Sequence, residues 1–282
     1  MSFDIYAAVT DRIISQLEKG IIPWNKPWTG TASGPISGAT GKPYSLLNQM
    51  LLGKPGKWYT FQQIQKAGGK VLKGEKSSMV VFWKQIPIKE VSPETGEETQ
   101  KIIPMLKYFN VFHISQTDLP QDMPADPSAV DPATDAAADA IIADYLTRSG
   151  VTLEHRRGDE AFYLPADDMV VLPLREQFSQ MAEYYYTAFH ELTHSTGHSS
   201  RLNRLTGKAF FGNEEYSKEE LVAEIGAAAL LNHCGIETAS SFRNSTAYIQ
   251  SWLRALRNDK RLIVSASGAA AKAFDLITGT AG

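Results

Sequence analysis

The sequence contains a single cysteine, Cys234, among 282 residues, and it lacks long apolar runs. One cysteine excludes an intramolecular disulfide, and it excludes zinc knuckles and iron–sulfur clusters, which need several thiolates. No stretch approaches the roughly 20 apolar residues that cross a membrane as a helix. The N-terminus also lacks the basic and apolar segments of a secretory signal. We therefore expect a protein of a reducing compartment, the cytoplasm, without a membrane anchor.

The chain also has little net charge, −3, but its charges are unevenly distributed. Residues 1–116 hold 14 basic and 8 acidic side chains, whereas the remaining residues hold 14 and 23. Hydrophobic residues make up 43% of the chain, which is sufficient for a packed core and excludes global disorder. The asymmetry indicates two modules, and the basic one is the candidate for binding a polyanion.

A segment rich in proline, aspartate and alanine divides the chain. Residues Leu119 to Ala138 include four prolines and no basic residue. Proline interrupts helices and disfavours the helical conformation in the residue before it. We therefore predict a linker at 118–134, between an N-terminal domain at 1–117 and a C-terminal domain at 135–282.

Hydrophobic periodicity predicts an α+β fold for both domains. In the first domain we expect strands at about 79–83 and 108–113, and a short helix capped by Thr60. In the second domain a small sheet precedes several helices. These include a long helix at about 175–196 and another at about 217–232.

The strongest chemical signal is the run His190-Glu191-Leu192-Thr193-His194 within the long predicted helix. Residues i and i+4 lie one turn apart on the same face of a helix, so two imidazoles at this spacing can share one cation. We predict one catalytic-type Zn²⁺ site with His190 and His194 as ligands. Glu191 is the predicted general base, which takes a proton from zinc-activated water and returns it to the leaving group.

A catalytic zinc needs a third protein ligand, and the sequence offers several candidates. His198 lies beyond the predicted end of the helix, and Ser200 occupies the position where longer HExxH signatures have a histidine. Glu220 and Glu224 lie one turn apart on the next acidic helix. We favour Glu220 as ligand, with Glu224 orienting a histidine, while the reverse assignment stays open. Three side chains are candidate donors to the reaction's oxyanion: Tyr216, His198 and Arg201.

The N-terminal domain interleaves lysines with aromatic residues. From Lys54 to Lys84 there are seven lysines and one acidic residue. Lysines neutralise phosphates, and aromatic faces stack on unpaired bases, so this pattern favours single-stranded DNA. The alternative is an ordinary small domain whose aromatic residues form the core and whose lysines are solvated. The candidate DNA-binding residues are Trp24, Lys26, Trp28, Lys42, Tyr44, Trp58, Lys70, Lys73 and Lys76.

Long segments of both domains carry a resemblance to a known family. They are 10–28, 40–44, 58–84 and 108–117 in the first domain, and 168–173, 189–204 and 219–230 in the second. These segments resemble the ArdC-type antirestriction proteins, whose N-terminal domain also begins TraC-type plasmid primases. The resemblance implies a single-stranded-DNA-binding domain joined to a zincin-like metallopeptidase domain, carried by a mobile element. The alanine-rich helix after Glu219 is also similar to the third-ligand helix of ImmA- and IrrE-type zincins, which implies Glu220 as the ligand.

Three functions follow as hypotheses. We favour a protein that binds single-stranded DNA, protects incoming DNA from restriction and cleaves DNA-associated proteins, restriction enzymes among them. The alternative is a non-catalytic antirestriction protein that coats the incoming strand and has a structural or vestigial metal site. A metal-dependent nuclease fits less well, because such enzymes usually have carboxylate-rich magnesium sites, whereas two imidazoles favour zinc.

Overall fold

A computed structural model describes residues 3–25, 34–91, 98–121, 134–205, 214–236 and 246–280. These residues form eight α-helices and seven strands, and the strands belong to two separate sheets. The arrangement confirms the predicted α+β class and the two-domain architecture. Most of the predicted linker, residues 122–133, lies outside the described ranges, so the boundary at 118–134 stays a prediction.

The N-terminal domain is built on a four-stranded sheet with the order β1-β2-β4-β3. Its elements are α1 (Ile5–Leu17), β1 (Pro35–Ser37), α2 (Leu46–Leu52), β2 (Gly56–Thr60), α3 (Phe61–Lys66), β3 (Ser78–Val91) and β4 (Glu98–His113). β1 and β2 are parallel, and the other neighbours are antiparallel. Thr60 caps α3 as predicted, because its hydroxyl accepts a hydrogen bond from the Gln63 backbone N–H at 3.3 Å.

The hairpin formed by β3 and β4 is longer than the sequence indicated. The two strands stay in continuous register from the pair Ser78–Val111 to the pair Val91–Glu98. The predicted strands covered only the apolar parts, 79–83 and 108–113. The outer parts contain charged and proline residues with weak strand propensity, and cross-strand hydrogen bonds hold them extended.

The C-terminal domain has a three-stranded sheet with the order β5-β7-β6, followed by helices. Its elements are α4 (Thr134–Ser149), β5 (Thr152–Arg156), β6 (Phe162–Leu164), β7 (Met169–Pro173), α5 (Met181–Ser195), α6 (Glu214–His233), α7 (Thr246–Asn258) and α8 (Leu262–Thr278). α5 begins later than the predicted position near 175. Arg175 lies in a separate 3-10 turn that is tied to Asp139 of α4 at 2.6 Å, and Phe178 is extended.

One hydrophobic core joins the two domains. It contains Val9 and Ile13 of α1 together with Leu253 of α7, and it also contains Trp24 and Trp252, whose ring centroids lie 5.0 Å apart. Polar contacts cross the same boundary, since Thr10 Oγ1 donates to the Lys260 carbonyl at 2.7 Å. The two domains therefore pack against each other through buried apolar surface, although one domain is basic and the other is acidic.

A second core holds α5 against the small sheet. Phe189 and Leu192 of α5 are fully buried and belong to the same cluster as Val170 and Leu172 of β7. Cys234 is buried in this cluster, and burial raises the pKa of its thiol to about 12. A thiol in that state is a core residue and a poor nucleophile. Within the described ranges no helix is both long and apolar enough to cross a membrane.

Candidate metal centre

α5 presents two histidines side by side at the edge of the second core. Because Phe189 and Leu192 face the sheet, His190 and His194 emerge on another side of the helix, one turn apart. Their rings meet edge to face with centroids 4.8 Å apart, and the two Nε2 atoms are separated by 3.2 Å. The histidines of the HExxH motif thus point toward one common position.

Glu220 of α6 completes a three-residue group. Its carboxylate oxygens lie 3.5 Å from His194 Nε2 and 3.6 Å from His190 Nε2. In the described part of the chain, the group that can hold a metal ion is His190, His194 and Glu220. Two zinc–nitrogen bonds of about 2.0–2.1 Å at a tetrahedral angle place their nitrogens roughly 3.3 Å apart. The observed spacings therefore fit three ligands of one divalent cation.

Gly226 of α6 allows the two ligand-bearing helices to approach closely. A Cβ atom at this position would lie 2.7 Å from Thr193 Cγ2, which is closer than carbon atoms pack. Thr193 cannot retreat easily, because it is fully buried and its hydroxyl donates to the Phe189 carbonyl at 2.7 Å. Thr193 precedes His194 in α5, so this contact sets how near α6 brings Glu220 to the histidines.

We expect Gly226→Ala to push α6 away from α5 and to weaken both the fold and metal binding. Overpacking of a buried contact costs roughly 1–3 kcal/mol, which exceeds the gain in helix propensity of about 1 kcal/mol or less. Thermal unfolding and a chelator competition for zinc measure the two effects. Gly268→Ala on α8 is the matched control, since a Cβ there meets nothing within 4 Å. Equal unfolding temperatures and zinc affinities for the two variants would contradict this role of Gly226.

A largely buried ion pair lies behind His194. Glu219 Oε1 is 3.3 Å from His194 Nδ1, and the Arg204 guanidinium donates to both oxygens of Glu219, at 2.8 and 3.2 Å. Arg204 also donates to the Thr193 carbonyl at 2.9 Å, which ties the pair to α5. Burial lowers the pKa of His194, but its hydrogen bonds to Glu219 and Glu220 outweigh that effect and raise the pKa to about 10.

For His194 the orienting carboxylate is therefore Glu219, and the assignment of Glu224 as the group that orients a histidine stays a prediction. Glu224 is buried, and its Oε2 atom has no hydrogen-bond partner among the described residues. The Nδ1 atom of His190 is likewise buried without such a partner in this part of the chain. Glu219 and Glu224 both lie on α6, but they are five residues apart and therefore point in different directions around the helix axis.

We expect Glu219→Gln to weaken zinc binding by roughly 10–100-fold, the usual cost of losing an outer partner of a metal-bound histidine. The amide keeps the size of the side chain but removes the charge that holds the Nδ1 proton of His194 and pairs with Arg204. Glu224→Gln on the same helix is the matched control, and zinc competition titrations compare the two. A larger loss for Glu224→Gln would restore Glu224 as the orienting group.

Glu191 lies within the same site without joining the ligand group. Its side chain is 7% exposed, and its charge contributes to the raised pKa of His194. Tyr186 lies one helical turn before His190 on α5, and the centroids of their two rings are 5.8 Å apart. A carboxylate next to the shared position of the ligands is suitably placed to exchange protons with a water there.

Of the three candidate oxyanion donors, Arg201 is excluded by its contacts. Its guanidinium donates to Asp168 at 2.5 and 2.9 Å, to the Tyr163 hydroxyl at 3.2 Å and to the Ser195 carbonyl at 2.9 Å. Arg201 therefore fastens the turn after α5 to the β6–β7 hairpin. His198 makes a local hydrogen bond, in which Nδ1 lies 2.7 Å from Ser200 Oγ, and it lies outside the ligand group. Tyr216 is on α6, but its side chain lies outside the described part of the structure.

Several of the predicted DNA-binding aromatic residues are core residues instead. Trp24 and Trp58 are only 4% and 3% exposed, and Tyr44 is also buried. A buried ring has no free face for a base, so these three predictions were wrong. Lys42, Lys70, Lys73 and Lys76 are exposed, while Lys26 and Trp28 lie outside the described residues. The long hairpin has four exposed aromatic residues that were not among the DNA-binding candidates, although two of them, Phe82 and Trp83, belong to the lysine-rich stretch: Phe82, Trp83, Tyr108 and Phe109.

Two family models match the chain, one in each domain. Residues 137–269 match a family model described as a zincin-like metallopeptidase. Residues 3–112 match a model described as the N-terminal domain of the anti-restriction factor ArdC. The first match contains the histidine pair and Glu220, and the second contains all but the last residue of the four-stranded sheet.

Curated relatives extend over nearly the whole chain. The chain is 35% identical to the DNA primase TraC of Escherichia coli over 95% of its own length, but it spans only about a quarter (26%) of that primase. It is 30% identical to the uncharacterized protein y4eC of Sinorhizobium fredii over 96% of its own length, and here it covers 91% of the relative.

Solved structures of similar proteins also exist. The chain is 38% identical to the antirestriction protein ArdC from the R388 plasmid in its metal-free crystal structure, with a TM-score of 0.76. That match covers 98% of this chain and 97% of the other. A Mn(II)-bound crystal structure of the same ArdC protein matches with a TM-score of 0.76, at 36% identity over 99% of each chain.

Proposed function

This chain belongs to the ArdC family of antirestriction proteins, and from that membership we propose that it is a single-stranded-DNA-binding antirestriction protein with a metallopeptidase site. In this proposal a mobile element encodes the protein, which acts in the cytoplasm. There it binds the incoming single strand, protects it from restriction and cleaves proteins bound to that DNA, restriction enzymes among them. Zn²⁺ is the proposed metal, because a site with two imidazoles favours zinc over magnesium.

One observation carries the peptidase half of the proposal. Two imidazole Nε2 atoms and a carboxylate converge with spacings of 3.2 to 3.6 Å, and a second buried carboxylate, Glu191, lies beside them. Three protein ligands with a neighbouring base is the composition of a catalytic zinc site, whereas structural zinc sites have four protein ligands.

The residues of the site have distinct roles in this proposal. His190, His194 and Glu220 would hold the metal, which when bound acidifies a water ligand and polarises a carbonyl group. Glu191 accepts the proton of the attacking water and later delivers it to the leaving amine of the peptide. Glu219 keeps the His194 ring in its orientation because its carboxylate lies against Nδ1, and Arg204 in turn holds Glu219 in place.

A second candidate function has an observation of its own. Trp24 of the N-terminal domain lies in one hydrophobic cluster with Leu221 and Ile225 of α6, the helix that carries Glu220. A metal that fixes α6 would therefore also stabilise the DNA-binding domain, with no turnover required. In this alternative the protein coats the incoming strand, and its metal site is structural.

A proteolysis assay with DNA-bound proteins tests the proposed function. The full chain, loaded with zinc, is incubated with candidate DNA-binding proteins, including restriction enzymes, with and without single-stranded DNA. Mass spectrometry then searches for new peptide termini, and Glu191→Gln serves as the control. We expect new termini with the original chain and none with Glu191→Gln. Identical termini with Glu191→Gln, or none with either, would leave the coating function as the better account.

A further inference from the structure

We propose that single-stranded DNA docks on one face of the β3–β4 hairpin, where Phe82 and Phe109 lie beside Lys84 and Lys107. This inference rests on the proposed function and assigns the DNA to residues that were not among the DNA-binding candidates chosen from the sequence. We call this face of the hairpin, with the rings of Phe82 and Phe109, the platform. It takes the stacking role that the sequence had assigned to the buried rings of Trp24, Tyr44 and Trp58.

The register of the hairpin puts these four side chains on the same face. Phe82 is paired with Lys107, and Phe109 is paired with Val80, two residues before Phe82. Side chains alternate between the faces of a strand, so Lys84 shares the face of Phe82. The rings of Phe82 and Phe109 are 5.9 Å apart and nearly perpendicular.

The platform has a rigid base and exposed rings. Val80 and Val111 on the same face are buried in a cluster with Tyr44 and Trp58, which anchors this end of the hairpin. Farther along, Phe82 is 43% exposed and Phe109 is 50% exposed. Two large aromatic rings that stay exposed to water cost free energy unless a binding partner covers them. Because the hairpin is anchored in the core and rigid, it loses little conformational entropy when it binds a partner.

The charge of the surface identifies the partner as a polyanion. Lys84 and Lys107 are both exposed, and there is no acidic residue in 76–87 or in 102–117. The loop that enters β3 contains the exposed Lys73 and Lys76, with Glu75 between them. An apolar protein partner would not require this run of lysines, whereas a nucleic acid backbone does.

The aromatic rings specify a single strand. In a duplex the faces of the bases are covered by their neighbours, whereas unpaired bases can stack on Phe rings regardless of sequence. The opposite face of the hairpin lacks the same combination. Over 78–87 and 102–113 it carries no lysine, and its Tyr108 ring is already in contact with Phe3 at 4.9 Å.

Fluorescence anisotropy with a labelled single-stranded oligonucleotide and the full chain tests the proposal. We expect the double variant Phe82→Ala/Phe109→Ala to bind at least roughly tenfold more weakly, because each stacked base contributes about 1–3 kcal/mol. Trp83→Ala is the matched control, since it removes an exposed ring from the next residue on the opposite face. Its affinity should stay within about twofold of the original chain.

A charge series completes the test. Lys84→Gln/Lys107→Gln should reduce the slope of log affinity against log salt by about 1.4, or 0.7 per contact with a single strand. Lys272→Gln, an exposed lysine on α8, is the control and should leave the slope unchanged. Phe82→Leu/Phe109→Leu keeps apolar bulk without a stacking face, so it separates loss of stacking from loss of folding.

The outcomes distinguish this inference from the proposed function. If the original chain does not bind single-stranded DNA, the DNA half of the proposed function fails and the platform fails with it. If the original chain binds but the Phe82/Phe109 variants bind equally well, only the platform is overturned. Weaker binding by Trp83→Ala than by the Phe82/Phe109 variants would place the DNA on the opposite face.

Discussion

Replacing either His194 or Glu220 by alanine should abolish stoichiometric zinc binding. Each variant removes one of the three converging ligands, and the affinity lost should exceed the roughly 10–100-fold that outer partners contribute. Metal content after dialysis, measured by mass spectrometry, together with a chelator competition gives both quantities. Since metal affinity is part of the folding free energy, the two variants should also lose the rise in unfolding temperature that zinc gives the original chain.

The controls for this result lie on the same two helices. Glu224→Ala removes a buried carboxylate of α6 that is outside the ligand group, so it should retain stoichiometric zinc. Full zinc retention by Glu220→Ala together with loss by Glu224→Ala would reverse the ligand assignment. Zinc retention by His194→Ala would show that the metal is bound somewhere else.

Glu191→Gln should separate catalysis from metal binding. Glutamine keeps the shape and the hydrogen-bonding reach of the side chain, but it cannot accept the proton of the attacking water. Because Glu191 is not a ligand, zinc content should stay near stoichiometric while proteolysis falls by roughly 10²-fold or more, the usual cost of a lost general base. Metal analysis and a quantitative cleavage assay on the same preparation give the two values.

An antirestriction assay in cells extends this test. If protection of incoming DNA depends on proteolysis, Glu191→Gln should lose it to the same degree as His194→Ala. Unchanged protection with Glu191→Gln would mean that proteolysis is not the route to antirestriction. Loss of protection with His194→Ala alone would then indicate that the metal supports the fold or DNA binding, as in the coating function.

The two histidines and the neighbouring acid could be predicted from the sequence because their geometry is local. An i, i+4 spacing on a helix brings side chains together whatever the rest of the fold does. The third ligand is different, since Glu219, Glu220 and Glu224 all lie on α6. Their separate roles depend on the angle at which α6 meets α5, which the contact of Gly226 with Thr193 helps to set.

In the N-terminal domain the tertiary structure decided more than the local sequence did. The excess of lysine and the interleaved aromatic residues were evident from the sequence, but the assignment of rings to solvent was wrong. Trp24 is covered by α6 and α7, whose residues follow it by about 200 positions in the chain. Exposure of a ring is decided by what packs on it, and a local pattern carries no information about such a distant partner.

By itself the sequence determined the α+β class, the presence of two domains, the HExxH helix and the basic character of the first domain. These properties follow from composition, from periodicity and from spacings within single helices, which are interactions between neighbours in the chain. Only the tertiary structure decided that Glu220 joins the histidines, that Glu219 and Arg204 support His194, and that Phe82 and Phe109 remain exposed. Each of these depends on two elements far apart in sequence packing against each other, and that packing is set by shape and burial across the whole fold.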